Sequence, residues 1–537
     1  MSSLRSCGGA AIPLADEAAA ASSPGDLDPE AFRRCGIQLV EGIADYLAHI
    51  EAYPVLPTVA PGEIFQQLPS CVPEQAEPLE QVVAEALSLL PATTTHWQAP
   101  GYLAYFSVTS SVPAMLGKLL EAALNPSRML WRASPVATEL EQVTVAWVRQ
   151  LLGLPDDLFG MIHANSAVLP ALVAALEARD LHIRERGLAG RPDVPRLRLY
   201  ASQQAHASVA KATIALGLGL ESLCLLPVDE RYRLRVDALE AAIAHDLQEG
   251  VLPVAVIATV GTTATTSVDP VAEIAALCQR YRLWLHVDGA YAINTAIVPE
   301  LRSAIAGCQS ADSLTVNPHK LLGVPTGCSL LYTRHPVFLK RAWSIQAAYL
   351  AHPDGDGVLD LGDYSLSLPH GMPALALWMT LRTFGRTGLI ARIRECMRLA
   401  RLVADWIDAS PDFERLAPTP FSVVCFRLHP PLLDNEDQLT ALNAQLLRHI
   451  NAQGRFFLSH TMLPTRQGDH TYTLRIAIGN MRTTQAHIEA LWQDLQQAAH
   501  AILTAGASGV TEGQLWQDLQ QAAQESLPSI FSFSRKA

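Results

Sequence analysis

Apolar and polar positions along the chain fall into three regimes. From Asp28-Pro29-Glu30 onward, the string AFRRCGIQLVEGIADYLAHIEA repeats apolar residues at three- and four-residue intervals. PEQAEPLEQVVAEALSLL does so again after a Pro-rich connector, which predicts a helical segment over residues 28–111. Between 112 and 380, short continuous apolar runs (RLRLYAS, LPVAVIATV, RLWLHVD, DSLTVNP, GCSLLYT) alternate with helical stretches such as DPVAEIAALCQRY. Runs of that kind are strands buried on both faces, so this part is expected to be a large α/β domain around a mostly parallel sheet. Over 381–500, long helices give way to FSVVCFRL and TYTLRIAIG with another helix behind, the pattern of a small α+β domain.

The two ends read differently. Residues 1–27 are Ser-, Pro- and Ala-rich, turn acidic and lack a long apolar core behind a basic start, so they are expected to be a disordered leader without a secretion signal. The segment 501–537 repeats LWQDLQQAA, already present at 491–499, at 515–523. Two copies are too few for a solenoid, and the repeat reads as a tandem duplication of one amphipathic helix.

At 537 residues the chain is long enough for several domains. A net charge of −13, with no basic stripe interleaved with aromatics, argues against a nucleic-acid partner. The uncharged stretch before Lys118 is interrupted by His96, Gln98, Pro100, Gly101 and Pro113, so no membrane span is expected. Nine scattered cysteines without close pairs read as reduced thiols in a cytoplasmic protein, with no metal site indicated.

Candidate chemistry gathers where strands end, the edge at which open parallel sheets bind ligands. SLTVNPHKLL places Asn317, His319 and Lys320 after one strand, and RLWLHVDGAYA places Asp288 after another, followed by the small Gly289 and Ala290. LYASQQAHAS offers His206 at a helix start, and IATVGTTATTS offers Thr262 and Thr263 beside a glycine. Alone, each has an ordinary reading as a cap, a turn or a solvated loop residue. Together they supply an amine, an anion, a flat imidazole and hydroxyls, which is the set that pyridoxal phosphate requires. Its phosphate needs a helix N-terminus, and Asn165-Ser166-Ala167 open a long helix with no acid before Glu177.

The order and spacing of these stretches resemble the group II pyridoxal-phosphate decarboxylases, and among them the aromatic-L-amino-acid decarboxylases, over about residues 28–500. The resemblance rests on FRRCGIQLVEGIADYL, THWQAPGYLAYF, SSVPAML, WRASPVATELE, HVDGAYA and NPHK. It implies the fold-type I α/β architecture with its seven-stranded type of sheet, an intertwined homodimer and decarboxylation of an L-amino acid, aromatic by preference. By resemblance Lys320 is the Schiff-base lysine, Asp288 pairs with the pyridine nitrogen and His206 stacks on the cofactor. Thr263 and Ala290 match further cofactor contacts, while Ser166, Ala167, Asn317 and His319 match the phosphate site. Tyr349, in AAYLAHPDGDG, matches a loop tyrosine that returns a proton after CO2 leaves; relatives that make aldehydes tend to carry phenylalanine there. Trp97, Tyr105, Phe106, Val108, Ser127 and Met129 match the substrate side.

This sequence also departs from the family pattern. Val168 stands where a hydroxyl is usual, Val108 replaces a threonine, Ser127 and Met129 replace bulkier apolar or aromatic side chains, and LPHG replaces a run with two arginines. These changes leave three rivals to aromatic decarboxylation: oxidative deamination to an aldehyde, a non-aromatic or modified substrate, and a degenerate member that binds cofactor without turnover.

Overall fold

The computed structural model describes residues 26–188, 190–345, 357–368, 371–465 and 469–507. Tyr349, Pro369 and His370 lie outside the described residues, as do most of the expected leader and the second copy of the duplicated string.

Seven strands form the main sheet: β1 (Phe159–His163), β2 (Leu197–Ser202), β3 (Leu223–Leu226), β4 (Leu252–Thr259), β5 (Trp284–Asp288), β6 (Ser313–Val316) and β7 (Ser329–Thr333). Their order is β1-β7-β6-β5-β4-β2-β3. Only β7 runs against the rest, pairing antiparallel with both β1 and β6. The sheet is therefore mostly parallel, as the unbroken apolar runs predicted: β4 and β5 are buried almost throughout, because helices cover both faces. One of these, Val168–Glu177, is buried at every position but Leu169 and reads VLPALVAALE, apolar on every side up to its last residue.

A second, antiparallel sheet holds β8 (Phe413–Arg415), β9 (Val423–Leu428), β10 (Ser459–Pro464) and β11 (His470–Ala477) in the order β10-β11-β9-β8. Helix Glu436–Ala452 packs on this sheet and against helix Gln485–Ala507, whose Trp492 meets Phe413 of β8. Two expected boundaries fall inside helices: Pro373–Ala409 runs through 380, with its break at Gly385 (φ 58°), and Gln485–Ala507 runs through 500. The first LWQDLQQAA copy lies in the latter helix, where Leu491, Leu495, Ala498 and Ala499 are buried.

The segment Gly101–Phe106 joins the two sheets. Phe457 N–H donates to Gly101 O (2.9 Å), Leu103 N–H to Phe457 O (3.0 Å) and Ala477 N–H to Leu103 O (2.8 Å). Glycine is required at 101 because a Cβ there would lie 2.0 Å from Arg455 O. Among the described residues, seven cysteines are free thiols.

Candidate active site

The carboxyl ends of β1, β2, β4, β5 and β6 surround a cavity of about 280 Å³. Ala164, Asn165, Ser166 and Val168 form one wall where β1 passes into the buried helix, and His206 and Ser208 form another after β2. Thr259, Gly261 and Thr263 come from the end of β4, Asp288 and Ala290 from β5, and Thr315, Asn317, His319 and Lys320 from β6. Ser329 enters from the start of β7, which reaches the same edge because that strand runs the other way.

Local hydrogen bonding fixes these side chains. The β4 turn is held by buried Asp269, whose carboxylate accepts from Leu234 N–H and Thr259 N–H, both at 2.7 Å. Burial pushes the Asp269 pKa up to about 6, with those two donors opposing the rise. After β5, Gly289 N–H donates to Thr315 O (3.1 Å) and Asn317 N–H to Ala290 O (3.2 Å), which stitches the Asp288 turn to the Lys320 turn. Ser329 Oγ–H donates to Asn317 Oδ1 (2.6 Å). His319 Nδ1 lies 2.8 Å from Cys328 O, and burial lowers its pKa to about 4.

Lys320 is half-buried in the wall, with Nζ 4.8 Å from the centre of the Phe106 ring. Desolvation lowers its pKa below the ordinary 10.5; Asp288 opposes this and Arg475 adds to it. Arg475 projects from β11, is itself buried, and lies 5.1 Å from the same ring. Its Nη1 donates to Tyr105 O (2.8 Å) and its Nε to Ala264 O (2.9 Å), while Nη2 has no partner among the described residues. Phe106 is held in turn by Tyr291, stacked at 4.1 Å. His206 stands at the exposed rim and caps helix Ala207–Ala215, its Nδ1 accepting from Ser208 N–H (3.2 Å). Neighbouring protein still desolvates the ring enough to lower its pKa.

Of the expected cofactor residues, Ser166, His206, Thr263, Asp288, Ala290, Asn317, His319 and Lys320 line the one cavity. Ala167 is buried just behind it as the N-cap of helix Val168–Glu177. Among the expected substrate residues, Phe106 meets Lys320, but Trp97, Tyr105, Val108, Ser127 and Met129 do not reach this wall. Tyr105 is exposed with φ 48°, and Trp97 stacks on Tyr102 at 4.4 Å. Ser127 and Met129 flank Arg128, which is pinned within the fold by Glu141 and by Ile162 O, both at 2.6 Å. Sequence reasoning missed Thr259, Thr315, Ser329 and Arg475. Arg475 had a readable signal, a lone cation in the strand TYTLRIAIG, since a charge on a buried strand needs a reason.

The model of the pyridoxal-dependent decarboxylase conserved domain matches residues 61–429. The chain belongs to that family. Tyrosine decarboxylase 2 of Arabidopsis thaliana is 36% identical over 486 residues, covering 88% of each chain. Phenylacetaldehyde synthase of the same plant is 35% identical over 486 residues, covering 89% of this chain and 97% of its own. A crystal structure of Oryza sativa TDC with PLP and tryptamine superimposes with a TM-score of 0.84 at 30% identity, covering 89% of this chain and 100% of the other.

The cofactor of the family is pyridoxal phosphate, and the residues present fit it. The cavity offers a desolvated amine and a buried carboxylate. It also holds the N-terminus of a ten-residue helix with no acidic residue in its first turn, suited to a phosphate. Among the described residues no group of three or more His, Cys, Asp and Glu side chains is placed to hold a metal ion, and no helix is long and apolar enough to cross a membrane.

Proposed function

We propose that the chain removes the carboxyl group of an aromatic L-amino acid, giving the amine and CO2. The observation that carries this reading is the convergence of Lys320, Asp288 and His206 on one cavity at the carboxyl edge of the sheet. Bound pyridoxal phosphate supplies an electron sink for the pair left on Cα when the carbon–carbon bond to the carboxylate breaks.

The chain's own residues do the rest. Lys320 holds the cofactor aldehyde, and its lowered pKa favours the neutral amine that the attachment needs. Asp288, at the cavity wall, would hold a proton on the ring nitrogen through opposite charge. His206, at the cavity rim, would cover the ring. Asn165, Ser166 and the first turn of helix Val168–Glu177 hold the phosphate, with the apolar Val168 contributing no side-chain donor. Arg475, buried 5.1 Å from the same Phe106 ring that Lys320 approaches and with its Nη2 unpartnered among the described residues, is the cation offered to the substrate carboxylate. Tyr349 returns the proton to Cα, and its hydroxyl favours the amine over the aldehyde named for the phenylacetaldehyde synthase relative.

Phe32, Ile37 and Val40 on helix Pro29–Ala48, and Leu116, Leu120 and Leu124 on helix Val112–Leu124, are exposed. An apolar surface of that extent supports a homodimer built through these helices. The seven free thiols support a cytoplasmic location.

The test is product analysis after the cofactor-loaded protein meets L-tyrosine, L-tryptophan, L-dopa, L-phenylalanine and several aliphatic and acidic amino acids. Amine from an aromatic substrate, without hydrogen peroxide, is the expected result. Aldehyde with peroxide, or amine from non-aromatic substrates alone, would overturn it.

A further inference from the structure

Below the cavity, one face of the main sheet carries a buried polar column. Alternation puts Trp284, His286 and Asp288 on the same face of β5. Parallel β6 runs alongside, with His286 in register with Ser313 and Asp288 with Thr315. All five side chains are buried. Trp284 Nε1–H donates to Ser313 Oγ at 2.8 Å, Ser313 Oγ lies 2.9 Å from His286 Nδ1, and His286 Nε2 lies 3.2 Å from Thr315 Oγ1. Thr315 and Asp288 both line the cavity.

The protons in this column have a determinable direction. An indole N–H can only donate, so Ser313 Oγ must accept from Trp284. If His286 donated to Ser313 as well, the buried serine proton would have no acceptor among the side chains of the column, and Thr315 would spend its proton on His286 Nε2. If instead Ser313 donates to Nδ1, every proton below the cavity is used. His286 then donates from Nε2 to Thr315, and Thr315 keeps its own proton for the cavity. Complete pairing of buried donors favours the second arrangement. Burial, against the opposing pull of Asp288 and the Ser313 backbone, holds the imidazole pKa down at about 4, so the ring is neutral and offers one donor and one acceptor.

We propose that Trp284, Ser313, His286 and Thr315 form a one-way hydrogen-bond relay whose last hydroxyl, in register with Asp288 on the neighbouring strand but not bonded to it here, turns to donate to the Asp288 carboxylate when the cofactor is bound, with His286 as a positioning residue acting through Thr315. Asp288 Oδ1 already accepts from Ala290 N–H at 3.2 Å. A further donor from Thr315 fixes the rotation of the carboxylate and presents it to the ring nitrogen. This inference rests on the reading of Asp288 as the partner of that nitrogen.

The test is nitrogen NMR on holoenzyme with ¹⁵N-labelled histidine, the His286 signals being assigned from their loss in His286→Gln. The expected result is the Nε2–H tautomer of His286, with Trp284→Phe raising the Nδ1–H fraction. With ring-¹⁵N-labelled cofactor, Thr315→Val should move the ring-nitrogen resonance and lower kcat roughly tenfold at unchanged KM, and Thr315→Ser should restore both. An Nδ1–H tautomer in the parent, or a Thr315→Val resonance at the parental position, would overturn the relay. The tautomer is read without turnover, so failure of the decarboxylase reading and failure of the relay are separate outcomes.

Discussion

Gly261 is the point where two walls of the cavity meet. Its φ of 91° is one that L side chains rarely adopt. A Cβ there would lie 2.5 Å from Ala292 Cβ and 3.1 Å from Ala292 N. Ala292 follows the Asp288 turn, while Gly261 begins the turn that carries Thr263. Substituting Gly261→Ala therefore imposes a left-handed conformation on a side-chain-bearing residue and overpacks a buried contact, together about 2–5 kcal/mol. Two measurements capture this loss: urea unfolding of the cofactor-loaded protein, and cofactor affinity by titration of the apoprotein. If the fold yields as a whole, the unfolding free energy drops by the stated amount. If only the turn yields, the cofactor dissociation constant rises by about 30-fold or more, each 1.4 kcal/mol being tenfold. A variant unchanged in both, to within about 0.5 kcal/mol, would refute the argument that this close approach shapes the cavity.

Arg475→Met should raise KM for the amino acid about 10- to 150-fold through loss of a charge-assisted hydrogen bond, read from initial rates on the saturated holoenzyme. Attachment of cofactor to the apoprotein should accelerate as pH rises and level off below the ordinary lysine value of 10.5, because desolvation lowers the Lys320 pKa. The midpoint should move up in Arg475→Met, which removes a like charge; stopped-flow absorbance across pH reads both. Leu116→Asp combined with Leu120→Asp should convert a dimer to monomers in sedimentation velocity, since both side chains are exposed on one protomer.

Much of the architecture was legible because parallel strands are apolar throughout and helices are periodic. LPVAVIATV and RLWLHVD could be read as buried strands without any tertiary information, and the residues after them as the ligand edge. Eight of the nine expected cofactor residues reach the cavity for that reason, since topology alone brings strand ends together. The substrate side was harder to read. Trp97, Tyr105 and Phe106 are neighbours in sequence, yet an unusual φ at Tyr105 and hydrogen bonds to Phe457 separate Phe106, at Lys320, from Tyr105, at the surface. Arg475 arrives from the second sheet, more than a hundred residues beyond the strand ends that were read, and no local pattern announces its contact with Phe106. Helix boundaries were blurred for a similar reason: Pro373–Ala409 continues across the expected division because its one break, at Gly385, leaves both flanking stretches helical.

The central claim is that Lys320 binds the cofactor in the cavity at the carboxyl edge of the main sheet. Reduction of the cofactor-loaded protein with borohydride, followed by proteolysis and mass spectrometry, fixes the pyridoxyl group on whichever of the chain's five lysines held it. The account predicts a single modified peptide containing Lys320, and loss of both the label and amine production in Lys320→Ala. A label on Lys118, Lys211, Lys340 or Lys536, or amine production that survives without Lys320, would contradict it.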